Sequence, residues 1–262
     1  MPPRRRVLLA LLAAACAAHA ACARVVAPAP PGVERIVFVG DSLVSRSDQD
    51  HGLLALVREA LRRSHPAVAL DLVDAGANGN CIADIRARLS SDVLALRPAA
   101  VVLYWDSDAA DVEDADASAE RSRSLRAAYE RNLSGVLLAL RESTSHVLVS
   151  GPTLLGERPH GRNRKDAVLD AYSAINRRLC RAHRVTWINT RRAAFAWLAD
   201  HPTDGEPDSG RLTEDGEHLN RAGTELVARE LAAAIGRWLG GEPPGPVELA
   251  RPPAPPLGPP RG

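Results

Sequence analysis

The chain has 262 residues, of which 45% are hydrophobic, 25% charged and only 3% aromatic. That composition fits one globular domain with an alanine-, leucine- and valine-built core, and it excludes a fibrous or wholly disordered chain. A formal net charge of +1, with arginines scattered among acids, gives no long-range pull toward nucleic acid or an anionic membrane, so neither is expected as a partner.

At the N-terminus Arg4-Arg5-Arg6 precede an apolar run from Val7 to Ala15, followed by the small residues Ala18-His19-Ala20 and Ala21-Cys22-Ala23. This order reads as a cleaved secretory signal over residues 1–23, and so as a secreted or extracytoplasmic protein. The apolar run falls short of the roughly 20 residues of a bilayer span. Lipidation at Cys16 is the alternative, but the large aliphatic residue usual three positions before such a cysteine is missing. After cleavage only Cys81 and Cys180 remain, as one disulfide or as two separate buried thiols; spacing alone does not decide. No Cys and His spacing of a metal site occurs, and neither metal nor other cofactor is expected.

Residues 24–33 read as a linker and 34–240 as the domain. Short apolar runs at Arg35 to Val39, Ala67 to Val73, Ala99 to Tyr104, His146 to Ser150 and Val185 to Asn189 predict five strands. Between the first strands, Leu53, Leu54, Leu56, Val57, Ala60 and Leu61 trace one helical face, as do Ile82, Ile85, Leu89, Val93 and Leu96. Further helices are expected from Ser118 to Glu142, Lys165 to His183, Thr190 to Asp200 and Arg221 to Leu239. Strands alternating with helices imply a parallel sheet inside a three-layer α/β/α sandwich. The acidic stretch Asp106 to Asp116 reads as a solvated loop entering a helix N-terminus, with a cation site as the lesser alternative. The proline- and glycine-rich residues 241–262 read as a disordered or extended tail.

Ligands of such open sheets sit beyond the carboxyl ends of the strands, and Ser42 lies there after the first strand, in Gly40-Asp41-Ser42-Leu43. Near the far end of the domain, Asp215-Gly216-Glu217-His218 supplies an imidazole with a carboxylate three residues before it. Ser42, His218 and Asp215 are thus candidates for nucleophile, general base and orienting acid. The glycine-x-serine-x-glycine elbow of α/β-hydrolases is absent. His51, His65, His146 and His183 flank helices or start a strand, as surface or capping histidines do.

These blocks, in this order, resemble the SGNH hydrolase superfamily, also called GDSL esterases and lipases, over about Arg35 to Leu239. The resemblance implies a flavodoxin-like fold with a five-stranded parallel sheet. It makes Ser42 the nucleophile, with its own N–H in the oxyanion hole. Gly79, in Gly76-Ala77-Asn78-Gly79-Asn80, matches the position donating a second N–H, and Asn78 or Asn80 is also a candidate helix cap. The third block departs from the family pattern, since Trp105-Asp106-Ser107-Asp108 stands where glycine, any residue, asparagine and aspartate are usual. Ser107 then takes the asparagine's place as third oxyanion donor, and losing one such donor typically costs about 2.7–4 kcal/mol. Asp41, Asn78, Asp106 and His160 are further candidates for substrate contact.

The implied activity is that of a monomeric, cofactor-free esterase forming an acyl-enzyme on Ser42, acting on a small-molecule or glycan ester. A low aromatic content favours a short acyl group, such as acetyl on carbohydrate. A polysaccharide O-acetyltransferase and a catalytically impaired binding protein are the alternatives.

Overall fold

The computed structural model describes residues 29–45, 52–205, 207–244 and 246–247. The expected signal segment, His51, residues 24–28 and most of the tail, and with them Cys16 and Cys22, lie outside the described residues.

Strand β1 (Val33–Gly40) is central because its Ile36-Val37-Phe38-Val39 run is apolar on both faces, and all four side chains are fully buried. It pairs in parallel with β2 (Ala69–Gly76) on one side and with β3 (Ala100–Tyr104) on the other. Outward from β3 follow β4 (His146–Ser150), β5 (Thr186–Ile188) and a two-residue strand β6 (Pro246–Val247), giving the order β2-β1-β3-β4-β5-β6. The five expected strands are present and the first five take the flavodoxin-like order. The sixth falls in the segment read as tail, where nothing in the proline-rich sequence signals a strand.

Alternation along β1 separates two cores. Ile36 and Phe38 face α1 (Leu53–Ser64) and the last helix, whereas Val37 and Val39 face α2 (Ile82–Asp92), α3 (Ala119–Ser143) and α4 (Asp166–His183). Helices α5 (Thr190–Asp200) and α6 (Arg221–Leu239) complete the chain, and the three layers are as expected. Helix α3 is capped by Ser118, whose Oγ accepts the Arg121 N–H, and α6 by Asn220, which accepts the Gly223 N–H. The stripe from Ile82 to Leu96 is broken. Helix α2 stops at Asp92, and Leu94–Leu96 form a 3₁₀ turn ending with Arg97 in the left-handed region (φ 51°), because Pro98 disfavours an α-helical residue before it.

The acidic stretch is not the solvated loop its composition suggests. Asp106, Asp108 and Glu113 are buried, Asp108–Val112 form a π-helical turn, and Glu113 makes a forked ion pair with Arg126. Cys81 and Cys180 are both free thiols. Among the described residues no helix is long and apolar enough to cross a membrane.

Candidate active site

Parallel register brings Gly40, Gly76, Tyr104 and Ser150 to one line at the carboxyl end of the sheet. A Cβ on Gly40 would sit 1.8 Å from the Tyr104 carbonyl oxygen, so β1 can leave the sheet here only through glycine. The chain then bends, with the Ser45 N–H donating to the Asp41 carbonyl (2.9 Å), and Ser42 rides half-buried on that bend.

Asp41 ties this bend to the end of β3. Its Oδ1 accepts the Leu43 N–H (3.0 Å), while Oδ2 accepts the Asp106 N–H (2.9 Å), the Ser107 N–H (3.0 Å) and the Ser107 hydroxyl (2.8 Å). Fully buried and holding four donors, Asp41 is a scaffold group rather than the substrate contact its position suggested. Ser107 is likewise buried, and its one hydroxyl proton is directed at Asp41. The third oxyanion donor expected of it is therefore turned into the scaffold. Asp106 is enclosed too, and burial, then the charges of Asp41, Glu217 and Asp111, push its carboxyl well above the usual carboxylate range. That shift is toward the neutral acid, helped by a hydrogen bond to Asp41, and so away from a repelling charge near Ser42.

The loop after β2 turns between Ala77 and Asn80, whose N–H donates to the Ala77 carbonyl (3.1 Å). Gly79 occupies the left-handed region (φ 69°) and is exposed beside the exposed Asn78, with open space where a Cβ would be. Asn80 does not cap α2; Cys81 does, and the side-chain Oδ1 of Asn80 instead accepts from Arg88 Nε (2.6 Å). Arg88 also donates to the carbonyls of Ala75 (2.7 Å) and Gly40 (3.0 Å), clamping the ends of β1 and β2 and the Gly79 loop together. Asp108 joins the third block to this loop by accepting the first N–H of α2, that of Ile82 (2.7 Å), and the Trp105 indole N–H (3.0 Å). Burial nonetheless pushes Asp108 up to about 6.

On the loop before α6, His218 Nδ1 lies 2.8 Å from Asp215 Oδ2, and Asp215 Oδ1 accepts the N–H groups of Glu217 (3.0 Å) and His218 (2.8 Å). The His218 bond and those backbone donors hold Asp215 down at about 2. In return the Asp215 carboxylate raises the imidazole above its usual value, helped by the charges of Glu217 and Glu214. Burial, then the charge of Asp111, pushes Glu217 up, and Asp41 adds to the effect. Glu217 thus lies within electrostatic range of Asp41 and Asp106, the carboxyls nearest Ser42 in the fold's first and third blocks.

His160 goes elsewhere. Its Nε2 is 2.9 Å from Asp170, its ring packs edge-on against Phe195 at 5.1 Å, and it lines a cavity of about 550 Å³ with Arg177, Trp187 and Arg191. Neither Ser42, Asp215 nor His218 lines that cavity, so His160 is not grouped with them. Among the described residues no group of three or more His, Cys, Asp or Glu side chains is placed to hold a metal ion.

Sequence reasoning passed over Arg88, Asp108 and Glu157. The last, buried in the loop after β4, accepts the N–H groups of Arg211, Leu212 and Thr213 and the Thr213 hydroxyl. None stands in a recognisable motif of its own; Asp108 closes the departing third block and Arg88 lies in the helix after the second, which is the only available signal.

The fold agrees with comparison against known proteins. In solved structures the chain is similar to an acetyl xylan esterase, AlAXEase, at 28% identity and a TM-score of 0.68, over 77% of this chain and 99% of that one. LAE5, described as an alpha/beta hydrolase enzyme from the metagenome of Lake Arreo, Spain, shares its fold at 23% identity and a TM-score of 0.65, covering 78% of this chain and 95% of that one. So does a variant of Axe2, an acetyl-xylooligosaccharide esterase from Geobacillus stearothermophilus, at 21% identity and a TM-score of 0.64, covering 78% and 94%. Comparison with curated protein sequences finds no match. The model of the GDSL-like lipase/acylhydrolase family matches residues 38–226, and the chain belongs to that family, as a hydrolase of ester bonds.

Proposed function

We propose that the protein is a secreted deacetylase acting on acetylated carbohydrate through an acyl-enzyme on Ser42. The observation that carries this reading is the 2.8 Å contact between His218 Nδ1 and Asp215 Oδ2, on a loop whose Glu217 lies within electrostatic range of Asp41, the residue before Ser42. Asp215 holds the imidazole so that Nε2 is the proton acceptor. His218 takes the Ser42 proton as Oγ bonds to the acetyl carbon, and the resulting oxyanion is received by the N–H groups of Ser42 and Gly79. His218 then protonates the departing sugar oxygen, and water, activated by the same imidazole, releases acetate.

Two observations support a short acyl group on a sugar. AlAXEase, similar over nearly its whole length, is an acetyl xylan esterase. Among the described residues only Val112 and Leu138 are large exposed hydrophobics, so no greasy cap awaits a long chain. Secretion is supported by the basic, apolar, small-residue order of residues 1–23. Acetate release from acetylated xylooligosaccharides should be measured for the wild type, Ser42→Ala and His218→Ala, alongside fluorophosphonate labelling. Stoichiometric labelling of Ser42 and loss of acetate release in both variants are expected, and equal activity in all three proteins would remove the reading.

A further inference from the structure

We infer that Glu157 is a positioning residue for the Asp215–His218 pair, holding from outside the loop on which both are carried. Its kinetic consequence rests on the catalytic reading above. Neither helix nor strand carries Asp215 and His218, and their side chains are 57% and 53% exposed. Within the loop an isolated antiparallel bridge joins Thr213 to Leu219, and the Glu214 N–H donates to the His218 carbonyl (2.7 Å). Those bonds close the loop on itself but do not tie it to the segment that follows β4.

Glu157 does. It is 1% exposed, its Oε1 accepts the N–H groups of Leu212 (2.9 Å) and Thr213 (2.6 Å) and the Thr213 hydroxyl (2.5 Å), and its Oε2 accepts the Arg211 N–H (2.9 Å). A buried carboxylate is costly unless hydrogen bonds satisfy it, so Glu157 and these backbone donors require one another's position. The Thr213 hydroxyl passes the constraint on: it gives its proton to Glu157 and accepts the N–H of Gly216 (3.1 Å), the residue following Asp215. Two backbone bonds run alongside, from the Gly156 N–H to the Gly216 carbonyl (2.7 Å) and from the Glu157 N–H to the Asp208 carbonyl (3.0 Å). Residues 156 and 157 thus grip the loop at 208, 211–213 and 216. Glutamine would keep the Oε1 acceptor but turn an amide donor toward the Arg211 N–H.

The test compares Glu157→Leu, Glu157→Gln and Thr213→Val with wild type in kcat and KM on p-nitrophenyl acetate. The low-field proton resonance of His218 Nδ1–H is followed in parallel, and circular dichroism reports folding. Misplacing the pair should lower kcat of Glu157→Leu about 10²-fold. KM should stay within about twofold, and the low-field resonance should broaden or vanish. Glu157→Gln should lose about tenfold or less, and Thr213→Val should fall between them. Placed in a His218→Ala background, Glu157→Leu should cause no further loss, because there is no imidazole left to position.

A folded Glu157→Leu with kcat within about threefold of wild type and an unchanged resonance would overturn the inference, as would an equal loss in the His218→Ala background. Should Glu157→Leu fail to fold, Thr213→Val decides by the same criteria. If wild type neither hydrolyses the ester nor reacts with the fluorophosphonate, the catalytic reading fails by itself, while the resonance still reports whether Glu157 positions His218.

Discussion

Asp106 is buried with its backbone N–H bonded to Asp41, the residue before Ser42, and burial pushes its carboxyl toward the neutral form. That arrangement costs stability. A carboxyl that stays protonated when folded but ionises in the unfolded chain favours unfolding as pH rises past its unfolded value of about 3.9. Asp106→Asn, which fixes the neutral form, should therefore raise the melting temperature at pH 7 by about 2–4 °C for each kcal/mol recovered. The gain should disappear near pH 3, as calorimetry at the two pH values would show. His218 behaves in the opposite sense. Its pKa is raised by Asp215, Glu217 and Glu214, so the active, neutral imidazole appears only above the ordinary value. The acid limb of kcat/KM should have its midpoint above about 6.5, and Asp215→Asn should move that midpoint down. Ser107→Ala removes a hydrogen bond to the buried Asp41 carboxylate and should cost about 2 kcal/mol by urea denaturation. Its kcat should fall less than about tenfold, since a true oxyanion donor would cost 10²–10³. Ser42, Asp215 and His218, the residues proposed to carry the chemistry, were legible as candidates because each sits in a short block whose residue types suggest that chemistry. Asp41 and Ser107 were named but given the wrong partners, because a linear sequence does not show that the ends of β1 and β3 turn toward each other.

At the scale of elements, β1 to β5 and all six helices follow from apolar runs and stripes, with boundaries shifted by a few residues where tertiary register prevails. Strand β2 extends to Gly76 although Asp74 lies within it, since pairing with β1 continues to Gly40. The same register makes Gly40 a sensitive point. Gly40→Ala would drive its methyl into the Tyr104 carbonyl, and the expected outcome is loss of soluble, folded protein, read from expression and circular dichroism. Arg88, Asp108 and Glu157 were illegible for one shared reason. Each bonds to backbone groups of segments far along the chain, and backbone groups carry no residue signature.

Across the whole molecule, α1 and α6 cover one face of the sheet and α2, α3 and α4 the other. The thiols are set apart by this layering: Cys180 is packed inside α4, where burial pushes its pKa well up, while Cys81 is half-buried and bonded to Asp84. Thiol titration of a protein prepared without residues 1–23 should therefore find one group reacting slowly in buffer and the second only in denaturant. Strand β6 lies along Trp187 and Ile188 at the margin of the sheet. A protein truncated at Glu242 would leave the N–H and C=O row of β5 bare, a template for strand addition from a second copy. Such a shortened chain should give a higher scattering mass that grows with concentration, and the proline-rich terminus would then count as a guard against self-association.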